Sequence, residues 1–249
     1  MTRALVRRPG PRVAEGLVSH VERTTVDPGR ALAQWQAYVD ALRDNGWEPV
    51  EVEPADACPD AVFVEDPVVV YRDVAVLARS GAPVRRAEVA GVEAAVRAAG
   101  YRVERIEEPG TLDGGDVLKV GSTVYVGLSG RTNEAGAAQL AAHLDTTVVP
   151  VPVTKVLHLK SAVTALPDGT VIGHPPLVDD PAAFPSFLAV PEEAGAHVVL
   201  LGGDRVLMAS SAPETADLLR GRGLEPVLVD IGEFEKLEGC VTCLSVRLR

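Results

Sequence analysis

The chain reads as an α/β protein assembled from five repeats of strand, strand, helix and strand. Three observations carry that reading: short β-rich runs alternate with helical stripes, neighbouring strands are joined by tight turns, and the whole order recurs about every fifty residues. Self-similarity at a fixed period points to a radial or solenoid architecture rather than an ordinary doubly wound sheet. Five such units closed into a ring would gather their strand ends around a central cavity.

The first unit has a strand at 4–7, a helix and a returning strand at 48–52. Its helix carries Leu32, Trp35, Val39 and Leu42, an i, i+3, i+7, i+10 stripe stopped by Gly46. The second unit has strands at 67–71 and 74–79, a helix bearing Val89, Val92 and Val96 that ends at Gly100, and a strand at 101–106. In the third, two short strands between Val117 and Gly127 flank a Gly121-Ser122 turn, followed by a helix at 133–144 and a strand at 147–153. The fourth opens with a hairpin, 162–166 and 170–173, around Pro167-Asp168-Gly169. The helix expected after it is poorly specified, because Pro175, Pro176, Pro181, Pro185 and Pro191 break the stretch 174–196. The fifth has strands within 197–209, a helix opened by a capping box of Ser211 and Glu214, and a strand at 225–231. Leu244-Ser245-Val246-Arg247-Leu248 alternates as a terminal strand.

With 249 residues, 47% hydrophobic and 24% charged, the chain can bury a substantial core, and it is read as one domain spanning 1–249. A formal net charge of −11 opposes phosphate binding, and no Lys/Arg cluster with interleaved aromatics tracks a nucleic-acid backbone. The expected partner is a small cation or a neutral molecule. The opening residues lack a signal peptide's apolar region, and no apolar run approaches a membrane span, so a cytoplasmic protein without a membrane partner is expected. Three cysteines make no disulfide framework, and a reducing compartment would keep them as thiols.

Cys243 precedes the terminal strand, where a thiol can face a cavity. Cys240 and Cys243 are spaced C-x-x-C, so a redox pair is open, although that motif normally begins a helix; either cysteine could also be a small buried hydrophobe. His20, His143, His158, His174 and His197 show no zinc-ligand spacing, and no metal site is expected. His158, in Leu157-His158-Leu159-Lys160-Ser161, is placed at a strand end ahead of the fourth hairpin. Glu65 and Asp66 interrupt what should be a buried strand after Phe63-Val64, so they either face a polar cavity or cation or lie in a solvated loop. In Leu112-Asp113-Gly114-Gly115-Asp116 the glycines let the backbone approach a ligand or another segment, unless they form a plain turn. Arg85 and Arg131 each sit just before a helix start, where a guanidinium can fork onto a carboxylate. A thiol, an imidazole and carboxylates are the groups needed to hold a guanidinium ion and break one of its C–N bonds.

Six segments occur in the order of a known family: Phe63-Val64-Glu65-Asp66, the stretch from Arg79 through Arg85-Arg86, Thr111 through Leu118, Val126 through Asn133, Leu157 through Ser161, and Thr242-Cys243-Leu244-Ser245. On these the chain resembles the dimethylarginine dimethylaminohydrolases of the pentein, or guanidine-modifying, superfamily. The resemblance implies a five-bladed β/α propeller of ββαβ units around a central active site. It also implies hydrolysis of Nω-methylated or Nω,Nω-dimethylated L-arginine to L-citrulline and the methylamine, without a cofactor, by a monomer or homodimer. It makes Cys243 the nucleophile, His158 the acid and then base, and Asp113 the acid that holds His158. Asp66 would hold the guanidinium, with Glu65 ordering the pocket beside Phe63, and Arg85 and Arg131 would grip the α-carboxylate. Asp60 and the carbonyls near Leu17 and Leu237 would receive the α-ammonium or position the arginines, Leu17 lying on a lid. The related arginine deiminases carry an acid where this chain has Lys160, which favours methylated over free arginine. Other readings remain open: a hydrolase or amidinotransferase for another arginine derivative, a non-catalytic binder of cationic amino acids, and a redox protein.

Overall fold

The computed structural model describes residues 2–248. In the first unit β1 (Arg3–Val6), α1 (Pro28–Asp44) and β2 (Glu48–Glu51) follow in order. The second comprises β3 (Val68–Tyr71), β4 (Val74–Leu77), α2 (Val89–Ala98) and β5 (Arg102–Arg105), and the third β6 (Val117–Val120), β7 (Thr123–Leu128), α3 (Glu134–Leu144) and β8 (Thr147–Pro152). The fourth contains β9 (Val163–Ala165), β10 (Val171–Gly173) and β11 (Phe187–Ala189). The fifth comprises β12 (Val199–Gly202), β13 (Arg205–Ala209), α4 (Pro213–Gly221) and β14 (Glu225–Val229), after which come α5 (Gly232–Glu235) and β15 (Val246–Leu248).

Every unit forms one three-stranded sheet with the same plan: an antiparallel pair, then a third strand parallel to the middle one. The first unit obtains its antiparallel partner from the far end of the chain, because β15 pairs with β1 in the register Arg3↔Leu248 and Leu5↔Val246. The terminal strand therefore closes the five-fold ring.

The central strands β3 and β4 are short yet buried at every position, because alternate side chains enter different cores, whereas the outer strands β2 and β5 are half-buried or exposed. Val69, Tyr71, Val74 and Val76 pack with Leu140 and Leu144 of α3, while Val68, Val70, Ala75 and Leu77 pack with Val92 and Val96 of α2 and Val246 of β15. One sheet thus cements two neighbouring units, which explains why β3 and β4 are apolar runs and not an alternation.

Asp27 caps α1 by accepting the N–H groups of Gly29 and Arg30, and Pro28 supplies a preset first turn. The buried face of α1 is Ala31, Trp35, Tyr38, Val39 and Leu42, so the expected stripe is corrected at Leu32, which is 40% exposed. Its place one position after Ala31 rotates it about 100° off that face. Gly46 ends the helix in the left-handed region, φ 84°.

Three further expectations change. The fourth unit has no α-helix among the described residues; two 3₁₀ turns, Pro175–Leu177 and Pro181–Ala183, carry the chain to β11, since prolines lack the N–H a helix needs. The capping box is absent: Ser211 Oγ donates to Glu235, and the N–H groups of Glu214 and Thr215 are accepted by the carboxylate of Glu192, outside the helix. His158 lies beyond the end of β8 at Pro152 and opens a 3₁₀ turn, Leu159–Ser161. Among the described residues no helix is long and apolar enough to cross a membrane.

Candidate active site

Chain direction gathers the chemistry at one end of the hairpins. The segments leading into β3, β6, β9 and β15 carry Asp66, Asp113, His158 and Cys243, and the segments leaving β4 and β7 carry Arg85 and Arg131. The hairpin turns lie at the other end, where Arg72, Gly121 and Gly169 border a separate cavity of about 520 Å³.

Cys243 sits in a turn ahead of β15, its N–H donating to Cys240 O at 3.1 Å and its carbonyl accepting from Glu65 N–H at 3.2 Å. Tyr38 of α1 braces this turn on either side of Cys243: its hydroxyl lies 2.8 Å from Val241 O and 2.8 Å from Ser245 Oγ. Helix α1 and the acidic segment together fix the nucleophile's backbone.

His158 is buried. Its Nε2 lies 3.2 Å from Asp113 Oδ2, and its Nδ1 faces Asp66 Oδ1 at 3.9 Å. Gly115 makes this approach possible, since a Cβ there would stand 2.6 Å from His158 Nδ1 and 2.8 Å from Asp66 Oδ1. Its N–H donates to Asp66 Oδ1 at 3.0 Å, so the sequence's expectation of close backbone approach is met by another chain segment.

One narrow pocket brings together Leu17, Asp60, Phe63, Asp66, Arg85, Arg131, His158, Leu237 and Cys243, with Leu157, Glu238 and Gly239 completing the lining. Two of the expected site residues stand outside that lining. Asp113, fully buried, reaches the pocket through His158, and Glu65 turns inward to an ion pair with Lys160. The segment after Gly16 crosses the mouth: Leu17 N–H donates to both oxygens of Asp60, at 3.0 and 3.2 Å, and Glu238 accepts the N–H groups of Ser19 and His20.

The two arginines differ. Arg85 is committed within the protein, with Nε and Nη2 on Glu88 at 2.9 and 2.8 Å and Nη1 on Asp66 at 2.6 Å. Arg131 Nη1 is buried without a hydrogen-bond partner, its nearest acid being Asp113 Oδ2 at 3.6 Å. Arg131 is therefore the guanidinium with an unmet demand for an acceptor.

Burial works against charge on all these groups, and their mutual placement decides the outcome. Burial opposes ionisation of Asp66, yet His158, Arg85 and the Gly115 N–H hold its carboxyl at about 2. Burial likewise opposes a charged His158, but Asp66, Asp116 and Asp113 raise it to about 9, so the imidazolium is the resting form at neutral pH. Burial lifts Asp116 to about 6 despite His158 and three hydrogen-bond donors. Cys240 is lowered by the hydrogen bond from Cys243, and Cys243 is raised by that same bond, by burial, and by the negative charges of Cys240, Glu65 and Asp66.

Sequence reasoning missed the supports. Asp116 accepts Ser129 Oγ at 2.7 Å, Thr132 Oγ1 at 2.6 Å and Leu159 N–H at 2.9 Å, tying the Arg131 loop to the histidine segment. Glu88 orients Arg85, and the fully buried Arg7 donates to the carbonyls of Glu53, Ala61 and Glu88. The i, i+3 spacing of Arg85 and Glu88 was the available signal for that pair; Arg7 offered none. Asp66, Asp113 and His158 also bring potential metal-ligand atoms within 4.8 Å of one another, but Arg85 and His158 already compensate these carboxylates.

A ring of five three-stranded units, four of them carrying an α-helix, with a thiol, an imidazole and carboxylates where its hairpins begin, defines a pentein, the fold class of guanidine-modifying proteins. Residues 20–166 match the family described as N,N dimethylarginine dimethylhydrolase, eukaryotic. An N(G),N(G)-dimethylarginine dimethylaminohydrolase of Streptomyces coelicolor is 70% identical over 250 residues, covering 99% of this chain and 97% of that protein. The chain belongs to the dimethylarginine dimethylaminohydrolase family. The corresponding protein of Pseudomonas aeruginosa is 35% identical over 251 residues, covering 98% of each chain. Its solved structure, a cysteine-to-serine mutant complexed with citrulline, matches with a TM-score of 0.92 at 33% identity, covering 99% of this chain and 98% of that one.

Proposed function

We infer that this chain hydrolyses Nω-methylated and Nω,Nω-dimethylated L-arginine to L-citrulline and methylamine or dimethylamine, with Cys243 as the nucleophile. The observation that carries the reading is the meeting of Cys243, charged His158 and ionised Asp66 in one pocket. Family membership directs it to methylated arginines.

The substrate guanidinium rests against Asp66, while Arg131, whose Nη1 lacks an acceptor, takes the α-carboxylate. Arg85, held by Asp66 and Glu88, adds positive field behind it, and Asp60 with the carbonyls of Leu17 and Leu237 receives the α-ammonium. The resting Cys243 thiol holds its proton, and the arriving cation stabilises the thiolate as that proton is released to solvent, so substrate helps generate its own nucleophile. The thiolate attacks the guanidinium carbon. His158 gives its proton to the leaving nitrogen, the C–N bond breaks, and an S-alkylthiouronium remains. Neutral His158 then removes a proton from water, the hydroxide adds to the same carbon, and Cys243 departs as thiolate while the added hydroxyl gives up its proton to solvent, leaving citrulline. Asp113 holds His158 through both steps. Lys160, paired with Glu65, leaves one substrate nitrogen without an acid partner, which accommodates its methyl groups. The enzyme works as a monomer or homodimer in the cytoplasm, a setting that suits three free thiols and a net charge of −11.

Purified protein is incubated with asymmetric dimethylarginine and EDTA, and citrulline and dimethylamine are assayed beside Cys243→Ser. Equal release of both products by the wild type alone is expected. Citrulline from free arginine and none from the methylated compound would overturn the substrate assignment, and an active Cys243→Ser the nucleophile.

A further inference from the structure

The catalytic sequence leaves one sulfur beside the nucleophile without a task. Cys240 Sγ lies 3.4 Å from Cys243 Sγ, and both residues are buried, with 4% and 6% of their surface exposed. The hydrogen bond from Cys243 N–H to Cys240 O makes residues 240–243 a turn, which keeps their Cα atoms within about 7 Å. Disulfides span Cα separations of about 4.4–6.8 Å with sulfurs about 2.05 Å apart, so side-chain rotation can close the remaining gap.

The two sulfurs face different spaces. Cys243 lines the catalytic pocket, whereas Cys240 borders a second cavity of about 430 Å³ with Val156, Ser161, His197 and Glu235. Leu157, Glu238 and Gly239 line both and form the partition between them. A small polar molecule can therefore meet Cys240 without entering the substrate pocket.

We propose that Cys240 is a peroxide-reactive thiol that forms a disulfide with Cys243 and thereby switches the hydrolase off reversibly. Cys240 is the sulfur that borders the second cavity, and its hydrogen bond with Cys243 and the neighbouring His197 and Thr242 lower its thiol, so it meets peroxide first. The Cys240 thiolate attacks one oxygen of hydrogen peroxide, the O–O bond breaks, and hydroxide leaves, giving a sulfenic acid. Cys243 passes its proton to the hydroxyl on Cys240 as its sulfur attacks. The S–S bond forms, the S–O bond breaks and water departs. Two thiols lose two electrons, and one peroxide, with the protons released, becomes two waters. An added dithiol reverses the step by exchange. Loss of activity rests on Cys243 being the nucleophile; the cross-link itself does not.

Full-length protein is treated with stoichiometric hydrogen peroxide, digested without reductant and mapped by mass spectrometry, while citrulline formation is followed before and after dithiothreitol. A peptide joining Cys240 to Cys243, lighter by two hydrogens, is expected to accumulate in step with the loss of activity, and dithiothreitol should restore both. Cys240→Ser is expected to give no cross-link and several-fold slower inactivation, while Cys58→Ser behaves as wild type. In Cys243→Ser, a sulfenic-acid probe should label Cys240. Oxygen addition at Cys243 without a cross-link would overturn the proposal, as would a fully cross-linked protein that still forms citrulline. Should untreated protein release no citrulline at all, the functional reading fails while the mass map still decides the cross-link.

Discussion

Replacing Asp113 by Asn should weaken the hold of His158 on its proton, and the size of the effect follows from the geometry. His158 stands at about 9 against an ordinary 6.5, although burial pulls the other way. Each tenfold change in a proton equilibrium is about 1.4 kcal/mol, so its acidic neighbours together supply on the order of 3 kcal/mol net of burial. Asp113 makes the direct hydrogen bond at 3.2 Å, while Asp66 is 3.9 Å away and shared with Arg85. A hydrogen bond to a charged group is worth about 1.5–3 kcal/mol, so Asp113→Asn should bring the imidazolium down by about one to two pH units. The histidine has to be charged to protonate the leaving amine, so turnover falls as pH rises through its value and the alkaline limb of kcat moves to lower pH. The same group contributes stability that is complete below 6.5 and lost as pH rises to about 9. In the variant that loss should finish earlier. Imidazole titration by NMR in a Cys243→Ser background, with and without Asp113→Asn, measures the change, and the kcat profile checks its consequence. A histidine still titrating near 9, or an unmoved alkaline limb, would refute the reasoning and leave Asp66 and Asp116 as the sources of its charge.

Four other outcomes are expected. Asp66 at about 2, against 3.8, contributes roughly 2 kcal/mol of stability that is present above 3.8 and lost as pH falls towards 2; urea unfolding of Asp66→Asn should show that acid slope flattened. Lys160→Met strands Glu65 without its ion-pair partner, and calorimetry should record about 3–5 kcal/mol of destabilisation. Gly115→Ala drives a methyl group against His158 Nδ1 and Asp66 Oδ1; a cost of about 1–3 kcal/mol by denaturant titration, with citrulline formation falling more steeply than stability, is the expected pattern. Tyr38→Phe removes the hydroxyl bridging Val241 and Ser245, and a loss of about 1–2 kcal/mol should accompany a kcat reduced through misplacement of Cys243.

Residue order alone disclosed the repeat and the reacting groups, because both are written locally. Turn residues such as Gly121-Ser122 and Pro167-Asp168-Gly169 fix hairpins over a few positions, and stripes such as Val92 and Val96 fix helices over a few turns. The acids of 65–66 and 113–116 were conspicuous because carboxylates have no place in an apolar strand unless something compensates them. What compensates them was not legible: Arg85, itself oriented by Glu88, for Asp66, Lys160 for Glu65, and three donors for Asp116. The exposed Leu32 and the cap that Glu192 gives α4 escaped for a related reason, since apolar character and capping motifs describe a segment and not its neighbours.

The sequence by itself determined the five-fold repeat of short strands, the helices of four units and the proline-broken fourth, and a thiol, an imidazole and carboxylates at fixed places in the chain. Tertiary structure decided the rest: β15 closing onto β1, Tyr38 clamping the turn of Cys243, and Cys240 beside the nucleophile with a cavity of its own. Backbone preferences act over a few residues and can be read in order. Ring closure, proton sharing and ion pairing depend on which distant segments are forced into contact when the apolar faces are buried, and no short window of sequence records that.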